Sequence, residues 1–199
     1  MDTLLKPVPA ADHLRRWSMS CWQRTWGILL GLVLLGFAFE ARATSVSKEY
    51  QLKAAFLYNF TKFVEWPPEQ FANETSPIVI AVLGANPFGN EITDLVKNRS
   101  VKGRPIIVRF IDSASEIPGA HIVFVSAGAE SRLPEPFLGQ PGVLTVGETS
   151  EFAARGGIIR FTLIGEKVRF EINQTSSEKA GIKLSGQLLK LATAIRKTS

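Results

Sequence analysis

The sequence predicts a single three-layer α/β domain with a mostly parallel sheet and a C-terminal antiparallel hairpin edge. Apolar, β-branched runs at Pro77–Gly84 and His121–Ser126 read as central strands buried on both faces. Turn signals and short helical patterns alternate with such runs up to about residue 154, the order expected of successive βα units. From Lys167 to Asn173 apolar and polar residues alternate strictly, as in a strand with one wet face.

Residues 1–43 read as a signal peptide and residues 44–199 as the folded domain. Arg15, Arg16 and Arg24 precede an apolar run of 14 residues, Trp26 to Phe39, and Ala41-Arg42-Ala43 supplies a small-x-small cleavage site after Ala43. Basic, apolar and small residues in that order form an export signature, and the run is shorter than the ~20 residues of a membrane span. The expected location is the periplasm. An uncleaved amino-terminal anchor is the alternative, and it too leaves the domain outside the cytoplasmic membrane.

Within the domain, residues 48–64 are expected to be helical, because Leu52, Phe56, Phe60 and Phe63 recur at helical spacing and Pro67-Pro68 stop the run. After the first strand, Asn86 and Pro87 predict a helix from Pro87 to about Lys97. Arg104–Ile111 reads as a strand with a mixed polar side, and Asp112–Gly119 as a short turn or helix. Pro134 and Pro136 leave only a helix fragment between Glu130 and Leu138. Gly142–Gly147 is strand-like, and a short helix is expected around Ser150 to Ala154. Gly157–Leu163 and Lys167–Asn173 lie too close in sequence for a parallel crossover and must pair as a hairpin. Leu184, Leu188, Leu191 and Ile195 predict a closing helix over 176–197, weakened by Gly181 and Gly186.

The chain carries 23 basic and 18 acidic residues, a formal charge of +5. Five of those basic and three of those acidic residues belong to the leader, which leaves 18 and 15 in the domain with no basic block of the kind that tracks a phosphate backbone. Nucleic acid is therefore not an expected partner. Cys21 lies in the leader, so the domain has no cysteine, and His121 is its one histidine. Metal sites and nucleophilic triads need more such groups. No catalytic residue, metal or cofactor is assigned, and the protein is read as a non-enzyme.

Two kinds of candidate site stand out. Gly84, Asn86 and Gly89 sit where a strand turns into a helix, the usual crevice of an open α/β sheet, and helix N–H groups there suit an anion. A tight turn without ligand is the plainer reading. Arg104, Arg109, Arg160, Lys167 and Arg169 offer a second anion site, with Arg160 and Arg169 expected as cross-strand neighbours whose repulsion calls for a ligand or, more plainly, the available acid Glu171 between them. For a protein partner the candidates are Phe56, Phe60, Phe63 and Trp66, as an exposed aromatic face or, more plainly, as core.

Several blocks resemble one known family in order. Lys53-Ala54-Ala55-Phe56-Leu57-Tyr58-Asn59-Phe60 with Lys62-Phe63-Val64-Glu65-Trp66-Pro67 resembles the opening signature of the YfiR-like periplasmic proteins. Pro87-Phe88-Gly89, Gly103-Arg104-Pro105, Phe152-Ala153, Gly156-Gly157, Lys167–Asn173 and Leu188–Ala192 continue the likeness over about residues 50–192. The resemblance implies a small, soluble exported regulator, expected to be a homodimer. It would bind the periplasmic sensory part of an inner-membrane diguanylate cyclase and restrain cyclic-di-GMP synthesis and biofilm formation. A periplasmic module for a small anionic ligand is the alternative function. Characterised relatives carry cysteine pairs, and their lack here implies that disulfide control is absent.

Overall fold

The structure, a computed structural model, describes residues 46–133 and 140–197. The expected signal peptide with its expected cleavage after Ala43, and the 134–138 part of the expected helix fragment, lie outside the described residues. Helix α1 (Lys48–Phe63) opens the fold, its first turn capped by the Ser47 hydroxyl, which accepts the Tyr50 N–H. Val64 is already extended and leads into β1 (Val64–Glu65), so the helix ends just before the two prolines.

The main sheet has eight strands in the order β10–β8–β7–β6–β5–β2–β4–β3. They are β2 (Ile78–Leu83), β3 (Ser100–Val101), β4 (Arg104–Ile111), β5 (Ile122–Val125), β6 (Leu144–Gly147), β7 (Ile159–Ile164), β8 (Lys167–Asn173) and β10 (Ala194–Arg196). The pairs β2–β4, β2–β5, β5–β6 and β6–β7 are parallel. This corrects the expected fold class. The sheet is mostly parallel, but β3–β4 is antiparallel at one end and β7–β8 near the other, and β10 runs parallel to β8 outside the hairpin. The hairpin is therefore internal and not the edge. A separate antiparallel pair joins β1 to β9 (Lys183–Leu184).

The layers also differ from the expectation. One face is covered by α1 and by α2 (Glu91–Val96) and α4 (Gly186–Leu191), with Leu57, Phe60, Ile92 and Leu188 against Ile80, Phe124, Phe161 and Phe170. Burying each such ring stabilises by about 2–3 kcal/mol. The opposite face is closed by Ile117, Ala120, Ala129, Leu133 and Phe152, from 3₁₀ turns and loops, and no α-helical residue joins this second cluster among the described residues. Among the described residues, the connections on that side are 3₁₀ turns, bends and loops. Residues 114–116 form one 3₁₀ turn inside a Ser113–Glu116 capping box, and the helix expected around Ser150–Ala154 is a run of turns. Those turns place the Phe152 ring between Gly147 and Gly157, where a Cβ on either glycine would overlap it.

Two predicted helices change. The Asn86 side chain accepts the Phe88 N–H and donates to the Gly89 carbonyl, both at 3.0 Å, which holds 86–89 as a turn and delays α2 to Glu91. The closing helix is replaced by α3 (Gln174–Lys179), β9, α4 and β10. Gly181 takes φ +69 and breaks the run, and Ser185 caps a new helix by accepting the Leu188 N–H at 3.2 Å. Ile195 then pairs with Ile172 in the sheet.

Candidate functional site

One hollow lies at each end of α1. Near its start an opening of about 490 Å³ is lined by Glu49 and Lys53, by Glu148 and Ser150 after β6, and by Arg160, Phe161, Thr162 and Leu163 of β7. Lys53 is 3 % exposed, unusual for lysine. Its ammonium pairs with Glu49, one helical turn earlier, and bonds Glu148 Oε2 at 2.6 Å. The Tyr50 hydroxyl donates to Glu148 at 3.3 Å, and the Lys53 ammonium lies 4.5 Å from the Tyr50 ring centre. Burial alone pushes the Lys53 pKa down, but hydrogen bonds to Glu148 and Glu49 outweigh it and hold the value above that of ordinary lysine. Burial, and then the Glu148 charge, push the Tyr50 phenol up.

Arg160 lies in the same opening. Its Nη2 meets Glu171 Oε1 at 3.0 Å, and Arg196 holds the other Glu171 oxygen at 3.2 Å. Glu171 stands opposite Arg160 in the hairpin, and Arg169 stands opposite Thr162. The pairing of Arg160 with Arg169 is thus corrected: the acid occupies the facing position, and exposed Arg169 turns to its neighbour's carbonyl at Val168. Arg160 Nε and Thr162 Oγ1 are buried without a hydrogen-bond partner. The turn holding Gly84, Asn86 and Gly89 satisfies its own polar groups, and a Cβ on Gly84 would lie 2.6 Å from Ser126 and Ala129.

At the far end of α1 a hollow of about 340 Å³ is lined by Thr61, Val64, Trp66, Phe71, Ile78 and Val101, with Glu65, Pro68, Lys102 and Arg104. The Phe71 ring stacks on His121 with centres 4.4 Å apart, and the Arg104 guanidinium covers Phe71 at 3.8 Å. Trp66 Nε1 donates to the His121 carbonyl at 3.2 Å. His121 Nδ1 accepts the Val79 N–H at 3.1 Å, which requires a lone pair there and fixes a structural role for the ring. Burial lowers its pKa, the Gln70 carbonyl opposes this, and the Arg104 and Arg109 charges lower it further. The Gln70 contact falls short of hydrogen-bond geometry, since Nε2 has no bonded partner.

The aromatic residues expected to meet a partner are mostly internal. Phe60 is 1 % exposed, and Phe56 and Phe60 pack on Phe161 and Phe170. Phe63 and Trp66 are half-buried against the same core. The large apolar side chains exposed among the described residues include Leu52 of α1, 49 % exposed, and Leu163 and Ile164 at the hairpin tip, 52 % and 57 % exposed, beside Ile107 and Phe110 of β4, Leu191 of α4 and Ile195 of β10. Sequence reasoning missed Lys53 and Glu148. The Glu49–Lys53 spacing was the readable half of that cluster, whereas Glu148 arrives only through the fold. Phe71 carried no signal of its own.

Among the described residues, no three His, Cys, Asp or Glu side chains are placed to hold a metal. A solved structure described as a conserved domain protein from Vibrio cholerae O1 biovar El Tor strain N16961 is similar at a TM-score of 0.45 and 11 % identity. The likeness covers 74 % of this chain and 60 % of that one, so the chain spans about 60 % of that structure's length. No curated protein matches the chain. The model of the YfiR/HmsC-like family matches residues 50–193, from within α1 to the residue before the last strand, and the chain belongs to that family.

Proposed function

We propose that the protein is an exported regulator that binds the extracytoplasmic part of an inner-membrane diguanylate cyclase and restrains cyclic-di-GMP synthesis. The family match across residues 50–193 carries this reading, because it takes in nearly every described element. The basic, apolar and small-residue order of residues 1–43 supports export. Half-exposed Leu52, Leu163 and Ile164 supply the kind of apolar surface a protein partner covers. Deleting the gene is expected to raise cellular cyclic-di-GMP, and the wild-type chain to copurify with a cyclase from the membrane fraction. Leu163→Glu is expected to weaken both effects. An unchanged nucleotide level with no cyclase recovered overturns the assignment.

A further inference from the structure

The hollow at the end of α1 has aromatic and aliphatic walls and two cations that no acid answers. Arg104 is fixed by neutral groups, with Nη1 donating to the carbonyls of Asn73 at 2.7 Å and Ser76 at 3.0 Å while the guanidinium lies over Phe71. Lys102 and Gly103 form the two-residue turn between β3 and β4 with φ of 51 and 79, a left-handed backbone in which asparagine is the commoner first residue. Neither Arg104 nor Lys102 has an ion pair among the described residues. The one acid lining the hollow, Glu65, stands opposite Lys183 in the β1–β9 pair. About 340 Å³ is within the range of small-molecule sites.

We propose that this hollow binds a small amphipathic carboxylate, its apolar body against Trp66, Phe71 and Val101 and its anionic head at Lys102 and Arg104. The proposal is independent of the regulator reading: it is measured on the purified protein alone, and that reading is measured in cells, so either fails without the other. Trp66 is the only tryptophan after Trp26, and it lines the hollow, so its emission reports occupancy.

The test titrates hexanoate and phenylacetate, with hexanamide and hexylammonium as neutral and cationic counterparts, by calorimetry and Trp66 fluorescence. At least one carboxylate is expected to bind saturably at one site and to weaken as salt rises. Hexanamide is expected to bind about tenfold more weakly and hexylammonium not at all. Lys102→Asn keeps a residue suited to the left-handed turn and is expected to weaken carboxylate binding about tenfold with the thermal midpoint unchanged. Val101→Phe fills the hollow and is expected to remove binding. Absence of saturable binding by both carboxylates in the millimolar range overturns the proposal. So does equal binding of the amide, an unchanged affinity in Lys102→Asn, or binding that survives Val101→Phe.

Discussion

The hollows at the two ends of α1 treat positive charge in opposite ways. At the start of the helix, Lys53 is buried and answered by Glu49 and Glu148, with the Tyr50 ring beside it. At the end, Lys102 and Arg104 face an aromatic-walled space, and among the described residues Arg104 is held by carbonyls and a ring. A buried cation closed by the chain's own carboxylates is a structural tie, because any ligand would have to displace them. A cation held by neutral groups keeps its attraction for an anion. Size alone does not separate these cases, since the tied hollow is the larger, about 490 Å³ against 340 Å³.

Removing the tie should have the largest effect. Lys53→Met leaves Glu49 and Glu148 unanswered beside a buried helix face and is expected to cost about 3 kcal/mol in urea denaturation. Adding Glu148→Gln should recover part of that loss, and two fully additive losses would mean that the pair is not coupled. The two hollows should also fail at opposite ends of the pH scale. The folded Lys53 pKa lies above its unfolded value of about 10.4. Its contribution is complete below that pH and disappears as pH rises through the folded value. His121 is depressed below about 6.5 by burial, so its contribution is present above that pH and declines as pH falls through the lowered folded value. Denaturation across a pH series should show both limbs, and His121→Gln should abolish the acid one. If the acid limb persists in that variant, another group titrates there. The smallest effect is expected for Phe71→Leu, which removes the ring between His121 and Arg104 and should cost about 1 kcal/mol. Combined with Lys53→Met, its loss should add within about 0.5 kcal/mol if the two ends of α1 are independent.

What could be read in advance depended on whether the signal was local. The runs at 78–83 and 122–125 became buried central strands because residues apolar on both faces have no other way to leave water. The hairpin of β7 and β8 followed from the short connection between them. The C-terminal leucine spacing misled because Leu188 satisfies it from a short helix while Leu184 and Ile195 find strand partners. Gly181 and the Ser185 cap were the local cues that outweighed periodicity. The position of β10 beyond the hairpin had no signal in sequence, since three residues paired at the end of a chain leave too short a pattern. The sites divide likewise. Glu171 was legible as an acid available to Arg160 within the hairpin, though not the register that sets it directly opposite, whereas Glu148 with Lys53, and Phe71 between Arg104 and His121, depend on segments brought together from far along the chain.

Phe152 between Gly147 and Gly157 binds three positions into one unit. A methyl group at Gly147 requires a smaller side chain at 152, and one at Gly157 would in addition meet the Phe152 carbonyl oxygen at 2.7 Å, while shrinking 152 alone opens a void that neither glycine fills. Single changes there should each be harmful, yet a matched pair, such as Gly147→Ala with Phe152→Ala, should be milder than the sum of its parts, because the three atoms nearest a Cβ at 147 all belong to the Phe152 ring. The crossover from β6 to β7 thus behaves as a lock and key within one chain, so variation at these sites should occur jointly.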